Sequence, residues 1–307
     1  MTKQLLEDRV LPFQVDGLDV RGRVIRLGKS VETILEAHKY PKPIADILSE
    51  AMGLTVALAS GLKYDGVFSL QAISEGDDAG PITALVSDIT SDGGLRGYAG
   101  FDEEKLAALG ENAASDVETL LGSGRLAFTV DQGKHMQPYQ GITALTPGAF
   151  SDCVHNYFLA SEQLDSDFKL AYGENGICVV MIQRLPDEAD DIDAAKEKWN
   201  HACIMLKSLT EAEMLDGTLG LADIPYRLFH EDGVRVYETS TVHQECRCSE
   251  EKLVNTLKGM PTPELNDMIE EGGTTVTCHF CSTNYTFSAD RLAELRDEKE
   301  AEKAVKH

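Results

Sequence analysis

Four of the chain's seven cysteines stand in two tight pairs near the C-terminus. Cys246-Arg247-Cys248 is a C-x-C pair and Cys278-His279-Phe280-Cys281 a C-x-x-C pair, with 29 residues between them. Thiolate sulfur is a soft donor, and four such donors converging on one point suit tetrahedral zinc. They are also groups that an oxidant can take from a metal. The pattern therefore supports both a structural cross-link and a redox sensor. A lone C-x-x-C would be a weak signal; two close pairs in one short segment are a strong one. His279 is an alternative donor, but four sulfurs make the simpler set. The C-x-C half is unusual, because zinc ribbons commonly carry two C-x-x-C knuckles. Zn–S bonds of about 2.3 Å hold tetrahedral sulfurs about 3.8 Å apart. A disulfide needs about 2.05 Å. Oxidation and the metal geometry therefore exclude each other.

Other candidates are weaker. Gly22 and Gly28-Lys29-Ser30 resemble a phosphate-binding loop, but five residues separate the glycines where the motif needs four, and Val24-Ile25 make the stretch a strand. No ATP site is expected there. No serine or cysteine sits in a recognisable nucleophile elbow, and His135 and His155 are expected to be structural or exposed, so the chain is not expected to be an enzyme. Cys153, Cys178 and Cys203 are scattered, which argues against a secreted disulfide framework. The sequon Asn284-Tyr285-Thr286 lies just after a cysteine ligand, in a chain in which no secretion signal is expected, and is discounted.

The elements that must position the cysteines follow from periodicity. Residues 20–26, 68–73 and 82–86 alternate as half-buried strands do, and 126–130 and 177–182 look like further strands. Residues 31–38, 43–62 and 151–163 read as helices, with Pro43 in a first turn. Strands cluster instead of alternating with helices, so the fold class is α+β: a mixed N-terminal domain, a helical linker and a small C-terminal zinc-binding module. The domains are placed at 1–185, 186–237 and 238–290, with a charged helical tail at 291–307. The linker opens on Asp187, Glu188, Asp190, Asp191 and Asp193, acid at a helix N-terminus. Ile192, Ala195, Trp199, Ala202 and Leu206 then form one apolar stripe. The linker is otherwise mostly polar, so its stability must depend on what it packs against. In the module, Ser249 caps a helix with Leu253, Leu257 and Met260 on one face. A second helix spans 263–269, and strands at 274–277 and 284–287 flank the second cysteine pair. That core is small. Residues 51–62 form the most apolar helix, most of it expected in the core of the first domain.

The 307 residues suffice for about two domains. The net charge of −24 opposes non-specific binding to phosphate backbones, so no nucleic-acid partner is expected. The first nine residues are charged and lack an apolar h-region, and no apolar run approaches the ~18–20 residues of a membrane span. A cytoplasmic chain without membrane contact is expected.

The cysteine arrangement resembles the signature of the Hsp33 redox-regulated chaperones. Val20-Arg21-Gly22, His38-x-Tyr40-Pro41, Leu62-Lys63-x-Asp65-Gly66, Tyr139-Gln140-Gly141, Tyr157-Phe158, Ser161-Glu162-Gln163-Leu164 and Arg227-Leu228-Phe229-His230-Glu231 resemble that family's blocks, in family order. The acidic loop around Gly76-Asp77-Asp78 departs from the pattern. The resemblance implies an ATP-independent holdase, inactive when reduced and bound to one Zn2+ through Cys246, Cys248, Cys278 and Cys281. It implies activation by disulfides Cys246–Cys248 and Cys278–Cys281 with zinc released, clients that are unfolding proteins, and a homodimer on oxidation. From another class, a zinc-ribbon adaptor for nucleic acid or a translation component is the alternative, and the charge argues against it. A thiol–disulfide oxidoreductase is a third reading, disfavoured because metal-bound thiolates are occupied.

Overall fold

The computed structural model describes residues 4–110, 113–132, 137–158, 165–186 and 192–305. The acidic opening at 187–191, His135 and the block at 161–164 lie outside the described residues. The chain divides into two compact units, 1–245 and 246–307.

The first unit opens with β1 (Arg9–Val15), β2 (Val20–Leu27), α1 (Lys29–His38) and α2 (Lys42–Ala59). The chain continues through β3 (Val67–Ala79), β4 (Ile82–Thr90), β5 (Gly94–Phe101), α3 (Glu103–Leu109), α4 (Val117–Leu120), β6 (Gly122–Asp131), β7 (Tyr139–Ala144) and α5 (Phe150–Tyr157). It returns through β8 (Ser166–Gly173) and β9 (Gly176–Arg184). The linker forms α6 (Ile192–Ser208), α7 (Glu211–Met214) and α8 (Asp223–Phe229), followed by β10 (Val234–Val236), β11 (Ser240–Thr241) and β12 (His243–Gln244). One sheet has the order β10-β1-β2-β9-β8, with β11 also on β1; the other runs β12-β5-β4-β3-β6-β7. Every pair is antiparallel except β12 on β5.

Helix α2 is buried without a break from Ile47 to Ala59 and shares one core with both sheets. It seats closely on β9: a Cβ at Gly53 would lie 2.7 Å from Val179 Cγ2. The two sides of the first sheet bury different things. Ile25, Leu27, Ile177, Val179 and Met181 join the α2 core. Val20, Val24, Cys178, Val180 and Ile182 join a second core beneath the segment that carries α6–α8, which contributes Ala202, Leu206, Leu209, Met214, Ile224, Leu228 and Phe229. The strand at 20–26 is therefore not half-buried as its alternation suggested. Both its faces are covered, and Arg23 and Arg26 are buried with it. Arg26 Nη1 donates to Leu219 O at 2.6 Å and Lys198 Nζ pairs with Asp19 at 2.5 Å, two polar ties across the linker layer. Among the described residues no helix is long and apolar enough to cross a membrane.

The second unit holds α9 (Glu250–Gly259), α10 (Thr262–Glu270), the hairpin β13 (Gly273–Thr277) and β14 (Asn284–Ser288), and α11 (Ala289–Val305). Its buried core is Leu257, Leu265, Phe287, Leu292 and Leu295. Leu292 and Leu295 bring the charged tail into this core, and Lys299 Nζ donates to Met260 O. The unit therefore runs to α11 and begins at Cys246. Residues 240–244 pair with the sheets of the first unit.

Candidate metal centre

Two short segments bring the four cysteines together. Residues 246–248 have no regular structure and lead straight into α9, whose N-cap Ser249 accepts from Lys252 N. Lys252 Nζ donates to Arg247 O at 2.6 Å, fixing the backbone between the first two cysteines. The other pair forms the tip of the β13–β14 hairpin. There Cys278 N donates to Thr283 O and Ser282 N to Cys278 O, both at 2.9 Å. Ser282 adopts a left-handed φ of 55°, which reverses the chain tightly enough to turn both sulfurs inward.

The four sulfurs lie within 4.8 Å of one another. Cys246 and Cys278 Sγ are 3.7 Å apart, and Cys248 and Cys281 Sγ 3.5 Å. The edge of a ZnS4 tetrahedron is about 3.8 Å. Distances, donor type and donor number all fit zinc. His279 is exposed and outside the group of four. Tyr285 Oη donates to Cys248 Sγ at 3.2 Å, and Cys281 Sγ lies 3.2 Å from Thr283 Oγ1. Burial pushes the thiols of Cys246 and Cys278 up. At Cys281 burial is outweighed by hydrogen bonds with Thr283 and the neighbouring thiols, which hold it down at about 7. Tyr285 is pushed up to about 12, first by its bond to Cys248. One cluster thus holds thiols of unequal acidity, and a soft cation would replace their protons.

The remaining cysteines stand apart. Cys153 is buried in α5, its sulfur accepting from Thr146 N and donating to Thr146 O. Cys178 lies in the core under the linker, pushed by burial up to about 11, and Cys203 is held up at about 12 by burial and Asp167. His155 is half-buried on α5. At the phosphate-loop near-miss, Asp8 fills the position of an anion: its carboxylate accepts from Gly28 N (2.6 Å), Ser30 N (2.8 Å) and Ser30 Oγ (2.8 Å). The sequence pattern pointed to none of this: Asp8 lies 20 residues before Gly28, and only the fold brings it there.

Comparison with known proteins covers nearly the whole chain. The family model described as Hsp33 protein matches residues 8–288. A 33 kDa chaperonin of Caulobacter vibrioides (strain NA1000 / CB15N) is 36% identical over 294 residues, covering 92% of this chain and 95% of the relative. That of Ectopseudomonas mendocina is 33% identical over 286 residues, covering 92% and 93%. The crystal structure of a 33 kDa chaperonin from Thermotoga maritima shares the fold, with a TM-score of 0.78 at 24% identity over 96% of this chain and all of that one.

Proposed function

The chain belongs to the Hsp33 family of chaperones, and from that premise we propose that it is a redox-regulated, ATP-independent holdase of the cytoplasm. The observation that carries this is the convergence of four sulfurs at the head of a small unit. Reduced, Cys246, Cys248, Cys278 and Cys281 would hold one Zn2+, which supplies a cross-link between the start of α9 and the β13–β14 tip. Structural zinc contributes on the order of 10–16 kcal/mol to small modules, whereas whole domains are stable by about 5–15 kcal/mol. Five buried hydrophobic side chains among the described residues are a small core, so this unit is expected to unfold without its metal.

Oxidation removes the donors. Two thiolates leaving the metal lose two electrons to become a disulfide; peroxide takes those electrons with two protons from solvent to give two waters, or hypochlorous acid takes them with one proton to give chloride and water. Sulfurs about 2.05 Å apart no longer span the tetrahedral edge. Following the family resemblance, the disulfides are Cys246–Cys248 and Cys278–Cys281. The shortest reduced approaches instead cross between the pairs, so peptide mapping of the oxidised chain decides the pairing.

Loss of order then runs back along the backbone. Glu245 N donates to Leu95 O at 2.9 Å, and the next residue is Cys246. Upstream, β12 and β11 each pair through two residues and β10 through three. Once these fray, α6–α8 lose their downstream anchor. Their release exposes the sheet face of Phe13, Val15, Val20, Val24, Val180 and Ile182 together with the apolar side of the helices. Unfolding proteins are the clients of that surface, the oxidised form is a homodimer, and the chain is not an enzyme and takes no nucleic-acid partner. Zinc release and suppression of client aggregation, followed in one oxidised sample, should rise together. Suppression with zinc retained overturns the coupling; an oxidant-independent gel shift with RNA would favour the adaptor instead.

A further inference from the structure

At the C-terminal end of α2 the two sheets leave a recess of about 140 Å3 in the first unit. Leu58, Phe68, Phe128, Tyr157, Phe158 and Met181 wall it. Phe128 and Tyr157 stack at 4.3 Å, and Phe158 stands edge-on at 5.8 Å and 5.4 Å from them. Among these walls lies the guanidinium of Arg23, on β2. Arg23 is 7% exposed, and among the described residues its Nε and Nη1 have no hydrogen-bond partner. Arg21 also lines the recess, its Nε donating to Gln183 Oε1 at 2.7 Å. Among the described residues no carboxylate lines it, in a chain with 52 acidic and 28 basic residues. Burial and then Arg21 lower Arg23 to about 10, which leaves it cationic at neutral pH.

A buried charge is ordinarily paired, because the unpaired ion forfeits its hydration for nothing. An apolar cavity of about 150 Å3 accommodates benzene. We propose that this recess binds a small carboxylate bearing one apolar group of about benzene size, its oxygens accepting from Arg23 and its apolar part lying among Phe68, Phe128 and Tyr157. The cation selects the carboxylate and the aromatic walls select against acids without an apolar body. The site shares no residue with the cysteine centre and does not depend on the redox reading.

The test is calorimetric titration of the full reduced chain with phenylacetate, phenylacetamide and acetate. Phenylacetate should bind once per chain, at least about tenfold tighter than either comparator, the effect of one hydrogen bond to a charged group or of the buried ring. Arg23→Met should abolish the preference for acid over amide. Because it removes an unpartnered buried charge, it should also raise the melting temperature of the ligand-free chain. Should that variant fail to fold, the acid–amide comparison on the unaltered chain decides alone. Equal binding of acid and amide overturns the role of Arg23, and acetate binding as tightly as phenylacetate overturns the role of the walls. Absence of saturable binding by all three means that only solvent occupies the recess, and the proposal fails.

Discussion

A sulfur held near 3.7 Å from another sulfur is poised for either a shared metal or a bond, and Cys246 and Cys278 stand at that distance. Replacing Cys246 and Cys248 together by serine should cut zinc content below half and leave the chain suppressing aggregation without oxidant. Full zinc content in that variant would reject the ligand set. Cysteine types and spacing made this centre readable from the sequence, since few other roles need four clustered thiols. Tyr285 and Thr283 were not readable, because each touches a sulfur only after the hairpin closes. A second residue prediction concerns Glu50, buried on α2, which accepts from Ser151 N at 2.8 Å. Burial raises its pKa, and the Ser151 bonds only partly offset this. A carboxyl raised on folding binds its proton more readily in the folded state. Its contribution is full below the unfolded pKa and is lost as pH rises through the folded one. Glu50→Gln removes that loss, so its melting temperature should gain on the parent's between pH 4 and pH 7. A gap that does not change with pH would reject this.

The elements show what patterning can and cannot reveal. Residues 177–182 and 43–62 read correctly because they are apolar runs long enough to carry a period; they became β9 and the body of α2. β5 escaped because Gly94, Gly97 and Gly100 blank its pattern, and β7 because it is an exposed edge strand. β10, β11 and β12 are too short to have a period at all, yet they end the linker's attachment. The strand at 20–26 read as half-buried because alternation cannot tell water from a second covering layer. Phe229, one of the fully buried linker side chains, stacks on Phe13 at 6.2 Å. Phe229→Ala should cost about 3–5 kcal/mol of docking energy. Amide exchange in α6–α8 should quicken while α2 stays protected, and binding of an apolar dye should rise before any oxidant is added. Exchange unchanged in α6–α8 would show that the layer is held elsewhere.

At the scale of the molecule, the two units rest on different forces. The first has two continuous apolar cores, the second a small one and four thiols. A zinc chelator should therefore erase amide protection across residues 250–305 while the strands of the first unit keep theirs; uniform loss would show that the units fold as one. The position of the thiols has a further consequence in chain statistics. A metal joining 246–248 to 278–281 closes a loop of 29 residues that contains both α9 and α10. By the loop-entropy relation, such a closure restricts the unfolded chain by about 3–4 kcal/mol. Disulfides within each pair would close loops of one and two residues and leave the long one open. Disulfides across the pairs would keep it shut. The same four electrons, removed with different connectivity, would thus give either a free segment or a tied one, and which of them forms determines whether oxidation loosens the unit or locks it.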